Sequence, residues 1–281
     1  FFLTACAPSN SYWPSTSPGP RVVTCNGQKY NREGHQNTTA LIAEMAGLDA
    51  SHARRLAYFS QAPDDLWFLY SAPSVGVWGY VPFFWSYRSN IMNVLHSLHG
   101  GSHEAVIERR RNLKAQIISL RSRSNDEDGW KIGFLIHAMG DSYAHAYGAL
   151  GDLHGYGEFL GHAFDNGEQD NRPDMIVMNN NYRIYIQYVQ ALFEALSDGS
   201  ANADLKGLNE FIAGVKAEVE VKHVSNSDFV QFVQTYTYCG NANRVHDQQA
   251  GNLATEELKK LEQDIERVKV SDFLSDMRDR L

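Results

Sequence analysis

The stretch GFLIHAMGDSYAHAYGALGDLHGYGEFLGHAFDNGEQDNRPD, residues 133–174, decides the predicted fold and site. It begins with the pattern His137-x3-Asp141-x3-His145 among apolar residues that favour a helix. Residues four apart share one helical face, with Cβ atoms about 5–6 Å apart, so neighbours in this trio can hold one metal ion. His137 and His145 lie about 12 Å apart along the axis and cannot easily share an ion. The pattern therefore predicts that Asp141 bridges two ions, with His137 on one and His145 on the other.

The donor types indicate the kind of metal. Imidazole and carboxylate groups without a nearby cysteine favour zinc, with manganese and iron as alternatives. Metal pairs about 3.5–4 Å apart are the usual device for phosphoester hydrolysis. The competing interpretation is that these side chains are ordinary buried or surface polar residues.

Composition bounds the class of protein. The 281 residues are 43% hydrophobic, which is enough to bury a substantial core, and the net charge of -8 argues weakly against a large nucleic-acid surface. No apolar run reaches the roughly 18 residues of a membrane span. Helical patterns dominate and strand-like alternation is scarce, so residues 21–281 are predicted to form one all-α domain.

Helix boundaries follow from capping and breaking residues. Asn37 or Thr38 is predicted to begin a helix that Gly47 ends, and Ser51 to cap a second helix that breaks before Pro63. Further helices are predicted over residues 104–120, 182–196, 203–223, 229–238 and 254–281, the last kinked or split near Ser271.

The N-terminal sequence Leu3-Thr4-Ala5-Cys6 resembles a bacterial lipobox, in which the cysteine is lipidated. The Pro/Ser/Gly-rich residues 7–20 read as a flexible tether, so residues 1–20 are interpreted as a signal remnant and linker. A chance N-terminal sequence is the alternative. With Cys6 lipidated, an exported chain permits a Cys25–Cys239 disulfide, although a Cys6–Cys25 pair or three free thiols stay open.

Aromatic residues concentrate between positions 67 and 87. The nine are Trp67, Phe68, Tyr70, Trp78, Tyr80, Phe83, Phe84, Trp85 and Tyr87. Core packing is one interpretation; an exposed apolar loop for a lipid surface or an acyl chain is the other.

The succession GHQNTTALIAEMAGL, LAYFSQAPDD, VLHSLHGG, GFLIHAMGDSYAH and GHAFDNGEQDNRPD resembles bacterial proteins allied to zinc-dependent phospholipase C, a superfamily that includes the S1/P1 nucleases. The resemblance covers residues 34–196. It implies an all-helical fold with two or three zinc ions.

The resemblance also implies a ligand set. The residues that match family ligands are His35, Asp64, His96, His137, Asp141, His145, His162 and Asp170. His99 competes with His96, and Asp165 with Asp170. Asp64 or Asp65 matches an aspartate that serves as ligand and candidate general base.

Three departures from the family pattern concern the metals. The family's phospholipases ligate one zinc through the amino group of an N-terminal Trp, which this chain does not have at that position. The gap from Asp141 to His145 is shorter than in the family, and Asn166 stands where a carboxylate would follow His162.

These features lead to an expected function. The expectation is a zinc-dependent phosphodiesterase of the phospholipase C type, exported and held at the bacterial envelope through Cys6 or secreted, acting on phospholipid with no dedicated nucleic-acid surface. A P1-like nuclease is the alternative enzyme, and a non-catalytic metal-binding lipoprotein is the alternative from another class.

Overall fold

The computed structural model describes residues 31–65, 70–78, 82–123, 129–158, 176–177, 180–225, 229, 232–233 and 267–281. The helices are α1 (Thr38–Met45), α2 (Ala50–Asp65), α3 (Ala72–Trp78), α4 (Trp85–Ser89), α5 (His103–Arg123), α6 (Gly129–Ala144), α7 (Asn181–Ser197), α8 (Leu205–Lys216) and α9 (Arg267–Arg278). π-Helical segments lie at Asn31–Asn37, Asn90–Leu95 and Ala217–Val221, and a 3₁₀ turn lies at Pro82–Phe84.

Helix α6 is the centre of the fold. Every residue from Ile132 to Ala144 is buried, because α2, α5, α7 and the segment Asn90–Leu95 surround the helix. A helix that is buried on all sides needs apolar residues nearly all round, and the buried part of α6 meets this requirement apart from His137, Asp141 and Ser142. The polar pair of the motif is therefore held at the centre of the apolar core.

Gly133 sets how closely α2 approaches α6. A Cβ at this position would lie 2.2 Å from Phe59 Cβ and 2.9 Å from the Phe59 carbonyl carbon. Only glycine permits this contact, since real Cβ atoms do not approach other atoms so closely. The contact lies one turn before His137 and one residue before Ser60, so it brings the backbone of α2 within reach of the His137 ring.

A short hairpin follows α6 and was not predicted. Strand β1 (Ala146–Ala149) pairs antiparallel with β2 (Asp152–Gly155), with Ala146 opposite Gly155. Gly148 and Gly151 have positive φ values of 111° and 98°, a backbone conformation that suits glycine. Among the described residues the fold is thus mostly helical with one two-stranded sheet.

Several predicted boundaries were wrong. Helix α2 begins at Ala50 rather than after a Ser51 cap, because Asp49 Oδ1 accepts hydrogen bonds from the amides of Ser51 and His52 at 2.9 and 3.1 Å. It also continues through Pro63 to Asp65. A proline here costs an intrahelical hydrogen bond, which the long packing of α2 against α6 offsets.

Helix α9 likewise differs from expectation, since it runs through Ser271 without a split. By contrast, α7 and the beginning of α1 agree with the predicted positions to within a residue, and Asn37 stands at the N-cap of α1 without a side-chain cap bond.

One large apolar cluster extends from Leu41 in α1 to Met277 in α9, and a small second cluster joins Met92, Leu98 and Tyr156. No helix in the described part of the chain combines the length and apolar character needed to cross a bilayer.

Candidate metal centre

The centre is built around Asp141, whose two carboxylate oxygens face different histidines. Oδ1 lies 3.1 Å from His35 Nε2. Oδ2 lies 3.0 Å from His96 Nδ1 and 3.2 Å from His137 Nε2. All four side chains are buried. The spacing of four residues between His137 and Asp141 thus places both on one face of α6, as the sequence predicts.

A backbone carbonyl fixes the orientation of the His137 ring. Nδ1 donates a hydrogen bond to the Ser60 carbonyl oxygen at 2.8 Å, which directs Nε2 toward the carboxylates. His96 has the mirror arrangement, since Nε2 donates to the Tyr70 carbonyl oxygen at 2.7 Å and Nδ1 points inward. Histidines that bind metal characteristically donate their other ring N–H to a carbonyl or carboxylate in this way.

His35 completes the inner set from the π-helical segment Asn31–Asn37. Its ring stacks on His137 with centroids 4.1 Å apart and an interplanar angle of 28°. Gly140 makes room for the ring, because a Cβ there would lie 3.0 Å from both Cε1 and Nδ1 of His35. The glycine in the sequence His-x2-Gly-Asp therefore has a steric role in the centre.

Asp64 is where the centre reaches solvent. Its carboxylate oxygens lie 3.9 Å from His35 Nε2 and 3.9 Å from His137 Nε2. Its side chain is 20% exposed, whereas that of Asp141 is 6% exposed and that of His137 is fully buried. Asp64 is therefore the most exposed of the five candidate donors.

The ring protons make this arrangement hard to satisfy without a cation. A carbonyl oxygen only accepts, so His137 Nδ1 and His96 Nε2 carry the protons of their rings. In neutral rings the inner nitrogens then present lone pairs, and these face each other at 3.1 Å while both face Asp141 Oδ2. A divalent cation bound by His137 Nε2, His96 Nδ1 and Asp141 Oδ2 removes the repulsion among these atoms. One added proton, by contrast, bridges only two of the three atoms.

The donor set fits a transition metal. Ligand atoms bound to one tetrahedral zinc at about 2.0–2.1 Å lie roughly 3.3 Å from one another. Distances of 3.0–3.9 Å separate the atoms of this centre. Two groups have donor atoms within 4.8 Å of one another, namely His35 with His137 and Asp141, and Asp64 with His96 and His137. Both use the same His137, so they describe one overlapping centre rather than two separate sites.

The charge on Asp141 suits a cation. Burial alone would raise the pKa of its carboxyl, but the neighbouring imidazoles of His145, His137 and His35 outweigh burial. Together they hold the pKa well below its usual range, so the carboxylate stays ionised in the core.

His145 lies just beyond the end of α6 and differs from the expected ligand geometry. Its Nδ1 is 3.7 Å from Asp141 Oδ2 but donates to the His96 carbonyl oxygen at 2.9 Å. A metal would have to be bound through Nε2. The expected bridge from Asp141 to an ion on His145 and the expected number of two or three zinc ions both stay predictions.

Of the two competing histidines, His96 belongs to a possible ligand group among the described residues and His99 does not. His99 instead pairs with Gly157 beside the hairpin.

Other predicted features lie outside the described residues. They are His162, Asp165, Asp170, the side chain of Asp65, the lipobox around Cys6 with its tether, and the cysteines Cys25 and Cys239.

Sequence reasoning missed the carbonyls of Ser60 and Tyr70, which orient the two central rings. Backbone groups carry no sequence signal, so only the fold reveals them. Gly140 was also missed, although a glycine inside an apolar helix is a recognisable sign of close approach.

Comparisons with protein-family models, with characterised proteins and with solved structures find no significant match to this chain. The resemblance to the phospholipase C and S1/P1 nuclease superfamily is therefore a prediction that stands on the sequence motifs.

Proposed function

We propose that this protein is a metal-dependent phosphoester hydrolase, with a zinc-type ion held by three donors, His35, His137 and Asp141, beside His96, and with Asp64 on the exposed side of the centre. The observation that supports the proposal most is the partial exposure of Asp64, because the other candidate donors among the described residues are buried. Structural zinc sites are closed by four protein ligands, whereas catalytic sites keep a position open. A partly exposed donor favours catalysis over a purely structural role.

The roles of the residues follow from their positions. When bound, the ion supplies Lewis-acid polarisation of a phosphoryl oxygen. The partly exposed carboxylate of Asp64 orients an attacking water and accepts its proton at a carboxylate oxygen. The bonds to Ser60 and Tyr70 keep the rings of His137 and His96 fixed, so that little reorganisation is needed during the reaction.

A phospholipid is the proposed substrate, because part of the aromatic stretch lies on the surface. Phe83 is 94% exposed and Trp85 is 46% exposed, while Tyr70 and Tyr87 belong to the core. Core packing thus accounts for Tyr70 and Tyr87, whereas Phe83 and Trp85 are available on the surface. Exposed aromatic side chains suit a lipid surface, and the net charge of -8 does not suit a long polyanion.

The test is a parallel assay of zinc-loaded protein on mixed phospholipid vesicles and on single-stranded DNA and RNA. We expect release of phosphorylated head group, lost on chelation and reduced at least 100-fold by His137→Ala. Asp64→Asn should lower the rate while most of the bound metal is retained. His52→Ala is the matched control, since His52 is an exposed histidine on α2 that pairs with Asp49.

Chelator-sensitive cleavage of nucleic acid with inert lipid would replace the lipid substrate by a nuclease substrate. Full metal occupancy with no activity on either substrate would contradict the phospholipase and nuclease assignments and favour the non-catalytic metal-binding protein.

A further inference from the structure

Ser97 has a backbone conformation that suits glycine. Its φ is 48°, in the left-handed region that residues with a Cβ rarely adopt. Asn180 and His223 are the other described residues besides glycine with positive φ, and both are exposed, whereas Ser97 is 1% exposed. A buried residue keeps such a conformation because the structure around it imposes it, and residues of this kind cluster at functional sites.

The left-handed turn at Ser97 follows the π-helical segment Asn90–Leu95. The amide of Leu98 reaches back across the turn and donates to the Met92 carbonyl oxygen at 2.9 Å. A left-handed residue often closes a helix end in this way, and it is usually glycine. Glycine would adopt this backbone conformation without strain. The serine side chain is therefore expected to contribute something that glycine does not.

The Ser97 hydroxyl docks this turn onto helix α6. Oγ donates a hydrogen bond to the Ala138 carbonyl oxygen at 2.7 Å, across 41 positions of sequence. Ser97 directly follows His96, and Ala138 directly follows His137. The bond therefore joins the two chain segments that carry these histidines, whose inward-facing nitrogens lie 3.1 Å apart.

Other hydrogen bonds hold His96 in the same position. Its Nε2 donates to the Tyr70 carbonyl oxygen at 2.7 Å, and its own carbonyl oxygen accepts a bond from His145 Nδ1 at 2.9 Å. Nδ1 of His96 then lies 3.0 Å from Asp141 Oδ2. The bond from Ser97 differs from these two, because it fixes the chain that carries the ring to the interior of α6.

We propose that Ser97 is a positioning residue of the candidate metal centre and that it holds His96 in place to bind the ion through Nδ1. This role rests on the proposed metal centre but not on any particular substrate. Loss of the hydroxyl frees the strained turn to relax, and the His96 ring then moves away from Asp141. Groups that orient a metal ligand typically contribute about 10- to 100-fold to metal affinity.

Competition between the full-length protein and a fluorescent chelator for zinc tests the role. We expect Ser97→Ala to bind zinc at least 10-fold more weakly than the wild type. Ser142→Ala is the matched control, because Ser142 is also buried and its Oγ donates to a carbonyl oxygen of α6, that of Met139, at 2.7 Å. This bond lies within the helix and joins no second segment, so the zinc affinity of the control should equal that of the wild type.

Three outcomes of this titration would contradict the account at different levels. Wild-type zinc affinity in Ser97→Ala, or equal losses in Ser97→Ala and Ser142→Ala, would overturn the positioning role alone. Absence of zinc binding by the wild type would overturn the metal centre and this role with it.

A double-mutant cycle shows whether Ser97 acts through His96. His96→Ala should itself weaken zinc binding, and Ser97→Ala should cause no further loss in the His96→Ala background. An equal loss in both backgrounds would show that Ser97 supports the fold in general, and it would overturn the proposal.

The variant Ser97→Gly separates the position of His96 from the stability of the fold. It relieves the backbone strain and lacks the hydroxyl. We therefore expect its metal-free form to unfold at a higher temperature than that of Ser97→Ala, while it binds zinc no more tightly. Recovery of wild-type zinc affinity in Ser97→Gly would overturn the role of the hydroxyl.

Cobalt(II) in place of zinc reports the ligands directly through its visible absorption. The spectrum of cobalt-loaded Ser97→Ala should shift from that of the wild type toward that of His96→Ala. A wild-type spectrum in Ser97→Ala would show that His96 is bound as before and would overturn the proposal.

Discussion

Replacement of Gly140 by alanine should change the metal affinity of the centre and the stability of helix α6 in opposite directions. A Cβ at Gly140 would lie 3.0 Å from Cε1 and Nδ1 of His35 and 3.4 Å from Tyr188 Cζ. Ordinary contacts begin near 3.4 Å, so the His35 ring must shift by a few tenths of an ångström, away from its position 3.1 Å from Asp141 Oδ1. Alanine in a helix otherwise gains about 1 kcal/mol over glycine.

Displacement of an orienting or ligating ring typically lowers metal affinity about 10- to 100-fold, or roughly 1.4–2.7 kcal/mol. We therefore expect Gly140→Ala to bind zinc 10- to 100-fold more weakly in a competition titration with a fluorescent chelator. Gly76→Ala is the control, because this glycine is also helical and its added Cβ would meet only Met92 Cε, at an ordinary 3.9 Å. Wild-type zinc affinity in Gly140→Ala would refute the assignment of His35 to the centre.

Two further outcomes test the core and the environment of His99. Gly133→Ala should destabilise the fold by about 3 kcal/mol in urea unfolding, since its Cβ would overlap Phe59, and an unchanged midpoint would contradict the close approach of α2 and α6. His99 has a folded pKa of about 4 against an ordinary 6.5, so the unfolded chain binds the extra proton and stability falls as pH drops through this window. His99→Gln should remove about 1–2 kcal/mol of that loss, and equal acid sensitivity in both proteins would show that His99 titrates normally.

The sequence predicted the part of the site that lies on a single helix, namely His137 and Asp141. The spacing of His137 and Asp141 fixes their shared face because both lie on one regular helix, and the apolar residues around them indicate burial. Family resemblance added His35, Asp64 and His96, which the fold brings to the same place. These residues are distant in sequence, so no periodicity could have placed them together.

The remaining features depend on tertiary contacts. His96 and His99 have the same local context, and only the direction of the chain after Leu95 puts the first in the centre and the second beside the hairpin. The hairpin itself escaped prediction because residues 146–155 are rich in glycine and poor in β-branched side chains. The predicted end of α2 before Pro63 was wrong, because the packing of α2 against α6 outweighs the one hydrogen bond that the proline removes.

The central claim is that the buried histidines and carboxylates hold a metal ion. Anomalous diffraction at the zinc absorption edge, from crystals of protein purified without chelator and supplied with zinc, tests it most directly. The account predicts an anomalous peak among Asp141, His35 and His137, within bonding distance of about 2.0–2.2 Å from their inward-facing atoms. Ordered protein with no peak there, or with a peak only at surface histidines such as His52, would contradict it.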